Sequence, residues 1–227
     1  MVIMAHPDDA EFGCAGTVGK WAREGDEITY VVCTNGDKGS DDPTMTPQRL
    51  SAMREGEQRA AADILGVRHV VFLGYPDGDL EPTPSLRRDL TREIRRYRPE
   101  IVVTTDPTTR FARDEYINHP DHRAAGEAAM QAVFPASRDR LHFPELLSEG
   151  LMPHKVKQVY LTLTNEPNQW VDISEVVELK IQALRAHVSQ FSGWEGWEEV
   201  VLEWARTAGA EQGLAYAEAY RRIVIEQ

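Results

Sequence analysis

From Val2 to Val133 the chain alternates short β-branched apolar runs with segments of helical period, and no other feature constrains its fold as tightly. Val2–Ala5, Ile28–Thr34, Val70–Leu73 and Ile101–Thr105 read as strands. The helical patterns that follow them run to about Glu24, from Pro47 to Leu65, from Ser85 to Tyr97, and from Asp121 to Val133. Repeated strand–helix units pack as parallel strands with helices on both faces, because the crossovers are right-handed. The expected fold is therefore α/β: a Rossmann-like, three-layer αβα domain with a mostly parallel sheet. Further strands are expected near Val156–Leu163, Trp170–Ile173 and Arg221–Ile225, with helices at Ser174–Val188 and Trp194–Thr207. No linker-like break divides the 227 residues, so one domain over residues 1–227 is expected.

In the common doubly wound order the first and fourth strands are neighbours, and ligands bind in the crevice at their carboxyl ends. His6-Pro7-Asp8-Asp9 follows the first strand and His119-Pro120-Asp121-His122 follows the fourth. Imidazole nitrogen and carboxylate oxygen suit a divalent ion of borderline hardness, and a catalytic site needs about three protein ligands with one position open. Taken alone, the first group also reads as a strand–turn–helix with aspartate caps, Pro7 restricting His6 to an extended backbone. In the second group one histidine could ligate while the other stands beside the substrate, and Asp121 could cap the helix or hold a histidine tautomer. The convergence of the two groups favours a metal site over either bland reading.

A formal net charge of -12 repels phosphate backbones and anionic lipid, so nucleic-acid and membrane partners are disfavoured. Cys14 and Cys33 are too few for a disulfide framework and read as small core residues; with no signal-like leader in view, the cytoplasm is the expected compartment. Arg87, Arg88, Arg92, Arg95, Arg96 and Arg98 alternate with apolar and acidic residues at helical spacing and read as a solvated face. Gly13, Gly16 and Gly19 have the wrong spacing for a dinucleotide fingerprint and are expected to allow close helix packing. Phe191, Trp194, Trp197 and Trp204 form an aromatic segment, either core or interface packing or a lid that stacks on a sugar.

Together, Ala5-His6-Pro7-Asp8-Asp9-Ala10-Glu11, Arg54-Glu55-Gly56-Glu57, Leu73-Gly74-Tyr75-Pro76-Asp77-Gly78 and His119-Pro120-Asp121-His122 resemble the LmbE/PIG-L family of zinc-dependent N-deacetylases, with a weaker echo at Lys180–Gln190. The resemblance implies metal ligation by His6, Asp9 and His122, with Asp8 as general base. It implies that His119 assists at the scissile carbonyl, that Asp121 pairs with His119, and that Arg54 and Asp77 contact substrate. Without it, Arg54 and Glu57 read as a surface ion pair and Asp77-Gly78 as a turn. A tyrosine near the second motif helps catalysis in some relatives; here Asn118 immediately precedes His119, and the nearest candidate, Tyr116, lies further back. The implied cofactor is Zn²⁺, and the ligand set also admits Fe²⁺, Co²⁺ or Mn²⁺. The implied reaction releases acetate and a free amine from a small-molecule amide, an N-acetylglucosamine conjugate or a related compound. The alternatives are an amidase acting on a thiol conjugate and a non-catalytic sugar- or metal-binding protein. A homo-oligomer is compatible with the resemblance.

Overall fold

A computed structural model describes residues 1–112, 116–210 and 212–225. In chain order the elements are β1 (Val2–Met4), α1 (Asp9–Glu24), β2 (Thr29–Thr34), α2 (Pro47–Leu65), β3 (His69–Tyr75), α3 (Pro84–Tyr97), β4 (Ile101–Thr105), β5 (Phe111–Ala112), β6 (Tyr116–Ile117) and α4 (Pro120–Gln131). A π-type turn (Ala132–Ala136) extends α4, and then come α5 (Glu145–Ser148), β7 (Gln158–Thr162), β8 (Gln169–Asp172), α6 (Val177–Arg185), α7 (Val188–Phe191), α8 (Trp197–Ala210) and β9 (Ala217–Val224).

Local chemistry sets the helix ends. Thr46 and Thr83 each accept a backbone N–H three residues on, at 3.3 and 3.2 Å, with proline in the first helical position of α2 and α3. Gly25 and Gly66 close α1 and α2 in the left-handed conformation.

Seven strands form one sheet in the order β3-β2-β1-β4-β7-β9-β8. Strands β3 to β7 of this order are parallel, and β9 runs antiparallel to both β7 and β8. The strand alternation shows directly in β1: Val2 and Met4 join the core under α1 and α2, whereas Ile3 and Ala5 join the core under α3 and α4. This is the expected three-layer α/β architecture, and β1 and β4 are neighbours as the pattern requires. Gly13, Gly16 and Gly19 let α1 approach its neighbours: an added Cβ would lie 3.0 Å from Thr162, 2.7 Å from Ile173 and 2.7 Å from Leu179. Cys14 and Cys33 are buried and unpaired.

Three expectations need correction. The arginine-rich face of α3 is not wholly solvated: Arg95 is 2% exposed and donates to the carbonyls of Ala136, Ser137, Asp139 and His142, closing the turn after α4. The last strand begins four residues earlier than expected, at Ala217, because its first half pairs with β8 rather than with β7. The expected helix Ser174–Val188 is the shorter α6 followed by a separate turn, α7, beginning after His187.

Candidate active site

The carboxyl ends of β1 and β4 and the loop after β3 converge on one cavity of about 940 Å³. His6 is brought there by the end of β1, and His119 and His122 by the N-terminal turn of α4, which packs against β1 and β4. His122 Nε2 lies 2.9 Å from Asp9 Oδ1, and His6 Nδ1 lies 3.3 Å from Asp9 Oδ2. The ligand atoms of His6, Asp9 and His122 fall within 4.8 Å of one another, a tight set of two imidazoles and a carboxylate. A second triplet, His6, His119 and Asp121, shares His6 but includes an aspartate whose oxygens are already taken. Asp121 Oδ2 accepts from Gly78 N at 2.7 Å and Oδ1 accepts from Leu80 N at 3.2 Å.

The nitrogens of the first triplet are presented by neighbours. His122 Nδ1 meets Asn118 Oδ1 at 3.0 Å, and Asn118 Nδ2 donates to Thr109 O at 2.8 Å, which fixes the amide so that its oxygen faces the ring. His122 is thereby an Nδ1–H tautomer with Nε2 free to bind. His6 Nε2 lies 3.1 Å from Asp77 Oδ1 and 3.2 Å from Asp121 Oδ2, which places its proton there and leaves Nδ1 toward Asp9. Burial works against a charged His6, but Asp9, Asp121 and Asp77 outweigh it and carry its pKa up to about 12. Burial likewise works against ionised Asp9, yet His122 and His6 hold its carboxyl well below the usual range. So much negative charge around two imidazoles suits a bound divalent cation, and the donor set fits zinc.

Asp8 projects beside this triplet from a left-handed backbone, φ 89° and ψ -26°. Burial pushes its carboxyl up to about 6 against the pull of Arg54, whose Nη2 lies 3.1 Å from Asp8 Oδ2. A carboxyl near 6 can take and release a proton close to neutral pH. Arg54 is buried rather than paired with Glu57 at the surface, and it also donates to Pro7 O at 2.7 Å and Gly36 O at 2.9 Å. Its guanidinium lines the cavity while serving these partners.

His119 accepts the Asp121 backbone N–H at 3.2 Å through Nδ1, so its proton sits on Nε2. Burial and the nearby His6 lower its pKa, so the ring is neutral. The expected pairing with the Asp121 carboxylate is loose, at 3.9 Å; that carboxylate is turned to His6. Asp77, expected at the substrate, lines the cavity but also contacts His6 and accepts Lys38 N at 2.8 Å. Tyr116 lines the cavity as well. The aromatic segment divides: Phe191 and Trp197 pack in a cluster with Ile181 and Val201, whereas Trp194 and Trp204 are 39% and 47% exposed on the cavity wall.

Sequence reasoning missed Glu11, Gln58 and His187, which are fully buried and linked to one another behind Asp8. Glu11 and His187 stand 176 positions apart, and no local spacing joins them. The signals were the weak likeness at Lys180–Gln190 and the place of Glu11 at the end of the motif that begins at Ala5.

The family model for GlcNAc-PI de-N-acetylase (PIG-L) matches residues 1–133. A diacetylchitobiose deacetylase from Thermococcus kodakarensis is 36% identical over 98% of this chain and 82% of its own length. A probable N-acetyl-alpha-D-glucosaminyl L-malate deacetylase 2 from Bacillus anthracis is 30% identical over 85% of this chain and 81% of its own length. Among solved structures, the N,N'-diacetylchitobiose deacetylase from Pyrococcus horikoshii superposes with a TM-score of 0.91 at 34% identity, covering 98% of this chain and 82% of that one. The match to the family model over more than half of the chain, and these relatives over nearly all of it, show that the chain belongs to the PIG-L family of GlcNAc-PI de-N-acetylases.

Proposed function

We propose that this chain is a zinc-dependent N-deacetylase that removes the acetyl group from an N-acetylglucosamine-type amide, with His6, Asp9 and His122 as the zinc ligands. The observation that carries this reading is the meeting of these three residues in one cavity that Asp8 and His119 also line. Bound zinc supplies Lewis acidity, which lowers the pKa of a water to about 7 and polarises an amide carbonyl.

The chain's own residues do the rest. Asp8 accepts the water proton and delivers it to the leaving amine, while Arg54 holds the carboxyl in place. His119 donates its Nε2–H to the oxygen that becomes negative as the carbonyl is attacked. Asp77 and Asp121 orient His6, and Asn118 orients His122. A non-catalytic binding protein has no use for a carboxyl raised toward neutrality or for a neutral imidazole donor beside the ligands.

The test is amine release by zinc-loaded protein from N-acetylglucosamine, diacetylchitobiose and the malate and inositol conjugates of N-acetylglucosamine, with and without a chelator. Release of acetate and free amine that stops with the chelator and returns with zinc is expected. No release from any of the four overturns the reading.

A further inference from the structure

Glu11, Gln58 and His187 are each fully buried, and no step above uses them. They form a chain of hydrogen bonds that ends on the backbone of Asp8: His187 Nε2 meets Glu11 Oε2 at 3.0 Å, Gln58 Nε2 donates to Glu11 Oε1 and Oε2 at 3.0 and 3.1 Å, and Asp8 N donates to Gln58 Oε1 at 2.9 Å. Asp8 has a φ of 89°, a conformation that side-chain-bearing residues rarely adopt. Something must over-determine it.

The amide of Gln58 can face Asp8 in two ways, and Glu11 selects one. The Gln58 NH₂ spans both oxygens of Glu11, at 3.0 and 3.1 Å, so its carbonyl points to the Asp8 N–H. The opposite orientation sets carbonyl against carboxylate and strands a backbone donor. His187 pins Glu11 from the far side. Burial lowers the pKa of His187, but Glu11 and then Asp8 raise it more. Beside this set of bonds, and separate from it, Ser189 of α7 donates N and Oγ to Glu57 of α2 at 2.7 and 2.6 Å, which fastens the two helices together.

We infer that His187, Glu11 and Gln58 are positioning residues that hold the Asp8 main chain in its left-handed turn and thereby aim the carboxyl that moves the proton. This gives a role to the Lys180–Gln190 segment, and it rests on the reading of Asp8 as the base.

The test uses zinc-loaded wild type, Gln58→Met, His187→Leu, His187→Gln and Ser189→Ala, read by kcat, KM, metal content and Tm. Gln58→Met keeps volume but removes the acceptor for Asp8 N–H, and His187→Gln keeps a donor for Glu11. The expected result is a loss of about 10- to 100-fold in kcat for Gln58→Met and His187→Leu, with KM and zinc content unchanged and most of kcat restored in His187→Gln. Ser189→Ala should lower Tm and leave kcat alone.

Wild-type kcat in Gln58→Met and His187→Leu below their Tm overturns the inference, as does a kcat that merely follows Tm across all four variants. Gln58→Met decides if His187→Leu does not fold. An inactive wild type removes the functional reading and this inference together, whereas an active wild type with unaffected variants removes the inference alone.

Discussion

His6 Nε2 lies 3.1 Å from Asp77 Oδ1, on the edge of the ring away from the nitrogen that faces Asp9. Asp77 thus acts on the imidazole whatever it does for substrate. The contact fixes the tautomer and raises the basicity of Nδ1, the nitrogen offered to a cation. Asp77→Ala is therefore expected to weaken zinc binding about 10- to 100-fold, read by competition with a chromophoric chelator. Wild-type zinc affinity together with a raised KM would instead assign Asp77 to substrate alone.

Asp8 and His119 should separate from the ligands in a variant series. Asp8→Asn keeps the shape but cannot take a proton, and a loss of about 10²- to 10⁴-fold in kcat is expected. His119→Ala removes a donor to the developing oxyanion and should cost about 10²- to 10³-fold. Both should retain zinc. His122→Ala should lose it, as measured by metal analysis after dialysis. Normal turnover in Asp8→Asn and His119→Ala would end the assignment of roles.

The division of labour in the site explains what could be read in advance. His6, Asp9 and His122 were legible because each sits at the end of a regular element, and the order β2-β1-β4 follows from the strand–helix pattern. Arg54 was legible only through resemblance: its spacing from Glu57 fits an exposed pair, whereas its guanidinium is spent on Pro7, Gly36 and Asp8, far off in sequence. The true partner of the Asp121 carboxylate, His6, lies 115 positions away. Which carboxylate reaches which imidazole depends on side-chain direction at loop ends, and neither hydrophobic period nor motif spacing encodes that. The early start of β9 was hidden for a similar reason, because pairing with β8 sets it and Ala217-Glu218-Ala219 carries little strand propensity.

Gly36 and Gly56 should respond to alanine in opposite directions. Gly36 has φ 64°, and an added Cβ would lie 2.3 Å from Arg54 Nη1. Gly36→Ala must move the guanidinium that holds Asp8, so lower stability, by about 1–3 kcal/mol, and lower kcat are both expected. Gly56 lies within α2 with nothing within 4 Å of an added Cβ, and Gly56→Ala should stabilise by about 0.5–1 kcal/mol. Urea unfolding of the two variants beside wild type checks both signs.

Lys180 and Glu218 form a buried ion pair at 2.6 Å on the cavity wall, each side chain 5% exposed. Glu218 also accepts from Gly16 N at 3.0 Å, Thr17 N at 2.8 Å and Tyr220 Oη at 2.9 Å, whereas Lys180 has Phe12 O at 2.7 Å as its other acceptor. Breaking a buried pair costs about 3–5 kcal/mol when the remaining charge is left bare. Glu218→Leu leaves Lys180 and two backbone amides without an anion, so it should fall in that range. Lys180→Met leaves a carboxylate still held by three donors and should cost less. Burial pushes the Glu218 carboxyl up, but Lys180 and the Thr17 contacts outweigh it and hold it below the usual glutamate value. The native state therefore binds fewer protons than the unfolded chain across that interval. The pair's contribution is full above the unfolded value of about 4.3 and is lost as pH falls through the lower native value. Urea midpoints from pH 7 down to 3 should converge between wild type and Glu218→Leu as the solution becomes acid. A gap that stays constant over that range would show that the charge of Glu218 does not contribute.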